Sequence, residues 1–435
     1  MAPFTGGNQD VTLTRGKRIL LLLTAAALLP SLAWANGVSE TFTRTSLALI
    51  VMITLADAAG FLFERLGLPE LVGEICAGIL LGNLALLGID FDFPQLLRES
   101  EFMTYSSELA VILLLFLVGL ESDMRDLLKV GRNATGVAVA GVLIPLLLGL
   151  GASAALGIGG GLQGWFIGAA LAATSVGITA KLLQAHGLVK SPSGEVILGA
   201  AVIDDVLGIL LLAVLASVAA NGDFVASDLG LIIAKALAFF GVALFIGQRL
   251  MPEMVHLVAV TKHASIWTGF AFCLALGFAQ LAALAGMAPL IGAFVAGLLL
   301  DDVHFRVGAT FQKHTLEELI RPISDILISI FFVGIGAQVQ LETLANPHAL
   351  LVIFSLSAVA VLAKSVSGVM ARGRHFDRRG IGFGMIPRGE VGLVFAAFGL
   401  SQGVFSGNTY TCLVTVVLIT TIIGPALLKS RLAHF

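Results

Sequence analysis

Apolar residues run through this chain in long, nearly unbroken stretches, and the polar positions gather in short clusters between them. A stretch of about 20 apolar residues is the length at which an α-helix crosses the hydrocarbon core of a bilayer, because each residue advances about 1.5 Å. Thirteen spans are predicted, centred near residues 54, 80, 113, 145, 173, 206, 240, 274, 294, 330, 360, 392 and 419, each bounded by a Gly, Pro or charged loop. The expected fold is an all-α polytopic membrane protein.

The pattern also repeats. Leu71-Val72-Gly73 with Ala77 to Leu81 recurs as Leu290-Ile291-Gly292 with Ala296 to Leu300, 219 positions later. Val118-Gly119-Leu120 recurs as Val333-Gly334-Ile335, and Val176-Gly177-Ile178 as Val391-Gly392-Leu393, both 215 positions later. Spans two, three and five thus match nine, ten and twelve. A shift of seven spans is odd, so the second copy is expected to be inverted: residues 43–218 and 264–430 form two six-helix repeats joined by a linker helix over 228–250.

Composition agrees with a membrane chain. Of 435 residues 57% are apolar and only 12% charged, more hydrophobic surface than a water-soluble core uses. The 50 glycines fit close helix packing and interrupted helices. A net charge of −3 gives no reason to expect a nucleic-acid partner. Cys76, Cys273 and Cys412 lie far apart in apolar runs and are expected to be buried free thiols.

The N-terminal segment reads as a signal peptide over 1–35: Arg15, Lys17 and Arg18, an apolar run from Ile19 to Leu32, then Ala33-Trp34-Ala35. An uncleaved extra helix is the alternative. With the new N-terminus outside, seventeen basic residues fall in inner loops, the Arg372 to Arg379 group among them, against Arg44 and Arg98 outside. That bias fixes the orientation, supports an odd span count and puts the C-terminus in the cytoplasm. The short tail after the last span predicts no fused regulatory domain.

The candidate chemistry lies at mid-membrane. Asp204 and Asp205 sit inside about 26 otherwise apolar residues, and charges at that depth usually mark an ion or proton path. A polar lock between helices is the bland alternative, but a lock needs one acid, and successive helical residues point ~100° apart. Lys364, central in span eleven, needs an acid partner, and Asp204 or Asp205 can supply it. Lys235 is expected to snorkel, and Asp57 and Glu74 are ambiguous.

Inverted-repeat transporters place their site where discontinuous helices meet. Spans five and twelve are the candidates. Thr174 and Ser175 in span five are candidate ion ligands, equally readable as small residues at a helix crossing. In span twelve Pro387 removes a backbone donor, while Arg388 and Glu390 can neutralise half-helix dipoles. A self-satisfying ion pair between that arginine and glutamate is the preferred reading, since opposite charges two positions apart compete with a substrate.

These residues give the chain its resemblance to the cation:proton antiporter superfamily, in the sodium/proton antiporter and Kef-type potassium efflux branch. The pieces that carry it are Leu68-Pro69 through Gly73-Glu74-Ile75-Cys76-Ala77-Gly78 to Gly82, Leu113 to Glu121, Thr174-Ser175-Val176-Gly177, Asp204-Asp205, Ala363-Lys364 and Pro387-Arg388-Gly389-Glu390-Val391-Gly392-Leu393. The resemblance implies a thirteen-helix homodimer in lipid, with a scaffold, a mobile core and two crossing broken helices in the core. It implies that Asp205 binds Na+ and that Asp204 pairs with Lys364. Potassium-efflux relatives usually vary the first acid and add a cytosolic nucleotide-binding domain; neither is expected here.

The function expected is secondary antiport of a monovalent cation, Na+ or Li+, against protons by alternating access, in a bacterial inner membrane and without a cofactor. K+/H+ exchange is the alternative within transport, and a non-transporting ion-binding subunit or sensor the alternative outside it. No nucleophile with a nearby base points to an enzyme. The orientation is open to a direct test: in a background lacking Cys76, Cys273 and Cys412, cysteines placed at 374–379 label from the cytoplasmic side and those near Glu342 from outside. The opposite labelling overturns the orientation and the span count beneath it.

Overall fold

A helix that crosses a bilayer satisfies its own backbone, so the apolar stretches wind into helices and the Gly and Pro clusters between them become turns. The computed structural model describes residues 40–88, 100–121, 131–221, 226–259, 263–300, 316–373 and 375–435. The signal-peptide reading of 1–35 and several inner-loop basic residues, Arg125, Lys129, Arg306 and Lys313 among them, lie outside the described residues.

The helices are α1 (Glu40–Arg65), α2 (Glu70–Gly82), α3 (Glu101–Glu121), α4 (Arg132–Ala155), α5 (Leu162–Ala172), α6 (Val176–Ala185), α7 (Pro192–Asn221) and α8 (Ala226–Ala259). They continue with α9 (Ala264–Leu284), α10 (Pro289–Leu299), α11 (Leu316–Ala337), α12 (Pro347–Ser367), α13 (Arg378–Gly384), α14 (Glu390–Ser401) and α15 (Gly407–Lys429). No strand occurs among the described residues. Among the described residues ten helical stretches are long and apolar enough to cross a membrane, counting Leu162–Ala185 as one. At the predicted centres near 80, 294 and 392 the helices are shorter, at 13, 11 and 12 residues. The chain is an all-helical, multi-pass membrane protein.

It divides into two compact units, Met1–Glu108 with Ile326–Gln338, and Leu109–Asp325 with Val339–Phe435. In the first unit α1 and α2 form a hairpin whose core includes Met52, Ala56, Ala77 and Leu81, packed with Ile330 and Val333 of α11. Glu74 is buried there and accepts a hydrogen bond from Ser329 Oγ at 2.5 Å. The second unit holds the remaining helices, with α3 from Leu109 on and α11 up to Asp325, and has a core in which Ala134, Val137, Ile197, Ala200, Ile381 and Met385 draw α4, α7 and α13 together.

The hairpin of α1 and α2 has a counterpart in the second unit, formed by α9 and α10. Gly67 and Gly286, 219 positions apart, both take a left-handed φ, +76° and +75°. Around them the Leu68 N–H donates to Phe63 O and the Met287 N–H to Ala282 O, each at 2.9 Å, so both hairpins turn through the same glycine-terminated motif. A β-carbon on Gly73 would stand 2.5 Å from the Ala59 carbonyl oxygen, and one on Gly292 1.9 Å from that of Phe278. Backbones this close require glycine.

The same close approach recurs with α3 and α11, in a register the sequence motifs do not show. Gly78 and Gly336 back onto Val333 O and Ile75 O, each 2.1 Å from a built β-carbon, while Gly297 and Gly119 back onto Phe116 O at 2.1 Å and Phe294 O at 2.2 Å. The residues that play the same part in the two contacts, Phe116 with Val333 and Gly119 with Gly336, are 217 positions apart in sequence, whereas the letter match aligned Gly119 with Gly334. A bare backbone surface sets the register, and Gly334 has nothing within 4 Å of its built β-carbon.

The cysteines depart from expectation. All three are free thiols, but only Cys412 is buried; Cys76 is half-buried and Cys273 exposed. In the second unit α9 packs along one face on α10, so a residue on the opposite face stays open although its neighbours in sequence are apolar.

Close packing makes a sharp pair of substitutions. Gly292→Ala drives a β-carbon into the Phe278 carbonyl and is expected to cost about 1–3 kcal/mol, the usual overpacking penalty. Gly277→Ala in α9 meets nothing within 4 Å. It is expected to be neutral or to gain up to about 1 kcal/mol from helix propensity. Thermal unfolding in detergent reads the difference, and equal melting temperatures for the two variants would remove the close-approach argument.

Candidate functional site

Two helices of the second unit unwind in mid-course. α5 ends at Ala172 and α6 begins at Val176, with Ala173 (ψ 137°) and Ser175 (ψ 110°) extended between them. α13 ends at Gly384 and α14 begins at Glu390, because Pro387 lacks a backbone N–H and disfavours helix at Ile386, and Gly389 is extended at φ −158°. Every interruption frees carbonyls that need donors.

The two breaks supply each other. Ser175 N–H donates to Pro387 O at 2.9 Å, Thr174 Oγ1 to Met385 O at 3.3 Å and Thr179 Oγ1 to Gly384 O at 2.8 Å. In return, Arg388 Nη1 donates to Ala172 O at 3.0 Å and to Ala173 O, at the carbonyl end of α5. Thr421 Oγ1 of α15 donates to Arg388 O at 2.6 Å. A β-carbon on Gly389 would stand 2.7 Å from Ser175, and one on Gly424 2.7 Å from the Pro387 ring, so glycine is what lets the crossing close.

The expected ion pair between Arg388 and Glu390 is not made. Arg388 is fully buried on the α5 carbonyls, and Glu390 instead accepts a hydrogen bond from Ser175 Oγ at 3.3 Å. The physical reason is that each charge meets a helix end of opposite sign: the guanidinium takes the carbonyl end of α5, and the carboxylate opens α14, where free N–H groups favour an acid. Arg388 Nε and Nη2 have no hydrogen-bond partner among the described residues.

Beside the crossing, α7 carries Asp204 and Asp205, and α12 carries Lys364. Lys364 Nζ donates to both Asp204 oxygens, at 3.0 and 3.2 Å, with both side chains at 0% exposure. A β-carbon on Gly141 of α4 would stand 3.3 Å from that Nζ, so α4 makes room for the pair by carrying no side chain there. Asp205 is 8% exposed and makes no hydrogen bond or ion pair among the described residues. Its charged neighbours are Asp204, Glu390, Glu121 and Lys364. Gly208, one turn along α7, faces Val391 of α14 at 4.0 Å from a built β-carbon, which places this part of α7 against the second broken helix.

The structure thus brings Asp204 and Lys364 together, sets Thr174 and Ser175 into the crossing as hydrogen-bond donors, and leaves Asp205 unengaged. Lys235 is exposed on α8. Thr179, Thr421, Gly141 and Gly424 were missed by sequence reasoning. Their partners lie 33 to 223 positions away, and a single Thr or Gly in an apolar helix carries no local signal. Among the described residues no group of three or more His, Cys, Asp or Glu side chains is placed to hold a metal ion.

This arrangement has relatives. Residues 19–432 match the family described as sodium/hydrogen exchanger, transmembrane. The chain is 34% identical over 417 residues to the high-affinity Na(+)/H(+) antiporter NhaS3 of Synechocystis sp., with 88% of this chain and 89% of that one covered. It is 33% identical over 388 residues to the Na(+)/H(+)-K(+) antiporter GerN of Bacillus cereus, with 88% and 94% covered. The solved structure of the sodium proton antiporter MjNhaP1 from Methanocaldococcus jannaschii shares the fold, with a TM-score of 0.65 at 17% identity over 90% of this chain and 97% of that one. The chain belongs to the transmembrane sodium/hydrogen exchanger family.

Proposed function

We propose that the protein exchanges Na+ for H+ across a membrane as a secondary antiporter, with Asp205 as the group that cation and proton occupy in turn. The observation that carries this is the unequal state of two adjacent acids. Asp204 is neutralised by Lys364, whereas Asp205, beside the crossing, is a carboxylate with no partner among the described residues. A lone buried carboxylate is costly, so a proton or a small cation is its natural companion. Occupancy by one excludes the other, and exchange follows if only an occupied site changes the side it faces.

Thr174, Ser175 and the opened backbone supply further oxygens near the crossing. Arg388 and Glu390 set the electrostatics of the two half-helix ends, and the Asp204–Lys364 pair holds α7 to α12. The matched α1–α2 and α9–α10 hairpins support two inverted repeats over 43–218 and 264–430, joined through 228–250 within α8, thirteen spans in all. The form of alternating access we propose is movement of a core domain against a scaffold, in a homodimer in a bacterial inner membrane, with the N-terminus outside after cleavage of 1–35 and the C-terminus cytoplasmic.

GerN is named for K+ as well as Na+. K+ takes the same oxygen ligands, so K+/H+ exchange is the second reading. Dequenching of a pH-sensitive dye in everted vesicles, run across Na+, Li+ and K+, separates the two: a response to Na+ or Li+ at concentrations where K+ is silent supports the first. No response to any of the three supports a non-transporting subunit.

Asp205→Asn keeps the shape of the side chain and removes its ability to release a proton. It is expected to fold and to lose cation-dependent proton movement after reconstitution. Retained exchange would take Asp205 out of the site.

The Asp204–Lys364 pair makes a second prediction. Lys364→Ala leaves a buried, uncompensated carboxylate, a change that typically costs about 3–5 kcal/mol. Asp204→Asn with Lys364→Ala removes both charges and should recover much of the thermal stability in detergent. Active Lys364 variants should also lose voltage dependence, because a lysine proton that leaves in each cycle makes exchange electrogenic. Additive stability losses, or unchanged voltage dependence, would sink this role for the pair.

A further inference from the structure

α13 is seven residues long and ends where Met385 and Gly384 accept the hydrogen bonds that hold the crossing. A helix of two turns cannot hold its own position in the molecule, so something must anchor its other end. That end is Asp377. The Asp377 carboxylate accepts from Arg431 Nε and Nη2, each at 3.0 Å, in a two-pronged pair. Its backbone N–H donates to Ser193 Oγ at 3.1 Å, in the first turn of α7. Arg431 lies two residues past the end of α15, and Leu432 beside it is buried in the cluster that includes Ile197 of α7 and Ile381 of α13. A β-carbon on Gly380 would stand 2.2 Å from the Phe435 ring, so the tail also seats on α13 itself.

Exposed ion pairs contribute little as a rule. This one differs in two respects: both prongs of the guanidinium are engaged, and the Asp377 side chain is only 8% exposed. The guanidinium is charged at any working pH, and the hydrogen bond to Asp377 raises the pKa of Arg431 further.

We propose that Asp377 is a positioning residue for exchange: through Arg431 and Ser193 it pins the start of α13 to the end of α15 and the start of α7. α7 carries Asp204 and Asp205, and α13 leads into the break at 385–389. The pin therefore sets the axial level of the break relative to the two aspartates, across a span of about 10 Å of helix. Asp377 touches neither cation nor Asp205. It acts through the geometry of the crossing, and it rests on the exchange reading above for its transport consequence.

The test uses the full chain in proteoliposomes with Arg431→Gln, Asp377→Asn and the double variant. Na+ KM and maximal rate are measured beside the melting temperature and the hydrogen–deuterium exchange of peptides spanning 381–389. Each single variant is expected to raise the Na+ KM about threefold or more and to speed amide exchange at 381–389, with the melting temperature unchanged and the double no worse than the worse single, as a pair acting as one unit requires. Unchanged KM and amide exchange, a double equal to the product of the singles, or a lower melting temperature with KM unchanged would each overturn it. If the unsubstituted protein itself moves no protons against Na+, the exchange reading fails, and the amide-exchange comparison still decides whether Asp377 positions the break.

Discussion

Two helices that stop in the middle of an apolar layer leave carbonyls and N–H groups that water cannot reach, and everything around residues 172–176 and 384–390 answers that constraint. Ser175, Thr174 and Thr179 donate to one break, Arg388 donates to the other, and Thr421 donates to the Arg388 carbonyl. Because each break is completed by the other, neither can re-form a continuous helix without orphaning buried polar groups in its partner. Gly389 and Gly424 are permitted no side chain there, since a β-carbon would fall within 3 Å of Ser175 or Pro387.

The charges are distributed by the same logic of compensation. Arg388 lies on the carbonyl end of α5, Glu390 at the amide end of α14, and Lys364 on Asp204. Among the described carboxylates and lysines at the crossing, Asp205 is left over. An isolated charge in such a medium costs several kcal/mol or more, which is why Asp205 is the group we propose for a mobile ion. Adjacent positions on one helix make the deficit unavoidable: side chains ~100° apart cannot both face Lys364.

Close backbone contact carries the rest of the architecture. Gly73 on Ala59 and Gly292 on Phe278 bring the two hairpins into the same tight geometry, while Gly78, Gly336, Gly119 and Gly297 let α2 meet α11 and α10 meet α3 at carbonyl distance. Between helices in lipid there is little hydrophobic drive, so small residues that permit dispersion contact replace it. At the end of the second unit where α13 begins, a two-pronged ion pair and a serine hydroxyl hold an element too short to hold itself.

Much of this was legible in the amino-acid order. Hydropathy located a helix at every predicted centre except the one near 173, which falls on the break between α5 and α6, since a bilayer demands length and apolarity and both are local properties. Asp204, Asp205 and Lys364 stood out because charge is rare in such runs, and Pro387 with Gly389 marked a break because neither sustains a helix. What required the tertiary structure is whatever depends on a partner far along the chain. Lys364 could have met either aspartate, and the rotation of α7 decided for Asp204, 160 positions away. Arg388 and Glu390, two positions apart, read as a pair until helix ends of opposite sign drew them to different partners. The glycine register moved from 215 to 217 because carbonyl contacts, not matching letters, align the helices. Cys273 lies in an apolar run and yet is exposed, because hydropathy states that a helix lies in lipid or in a core while only packing decides which of its faces is covered.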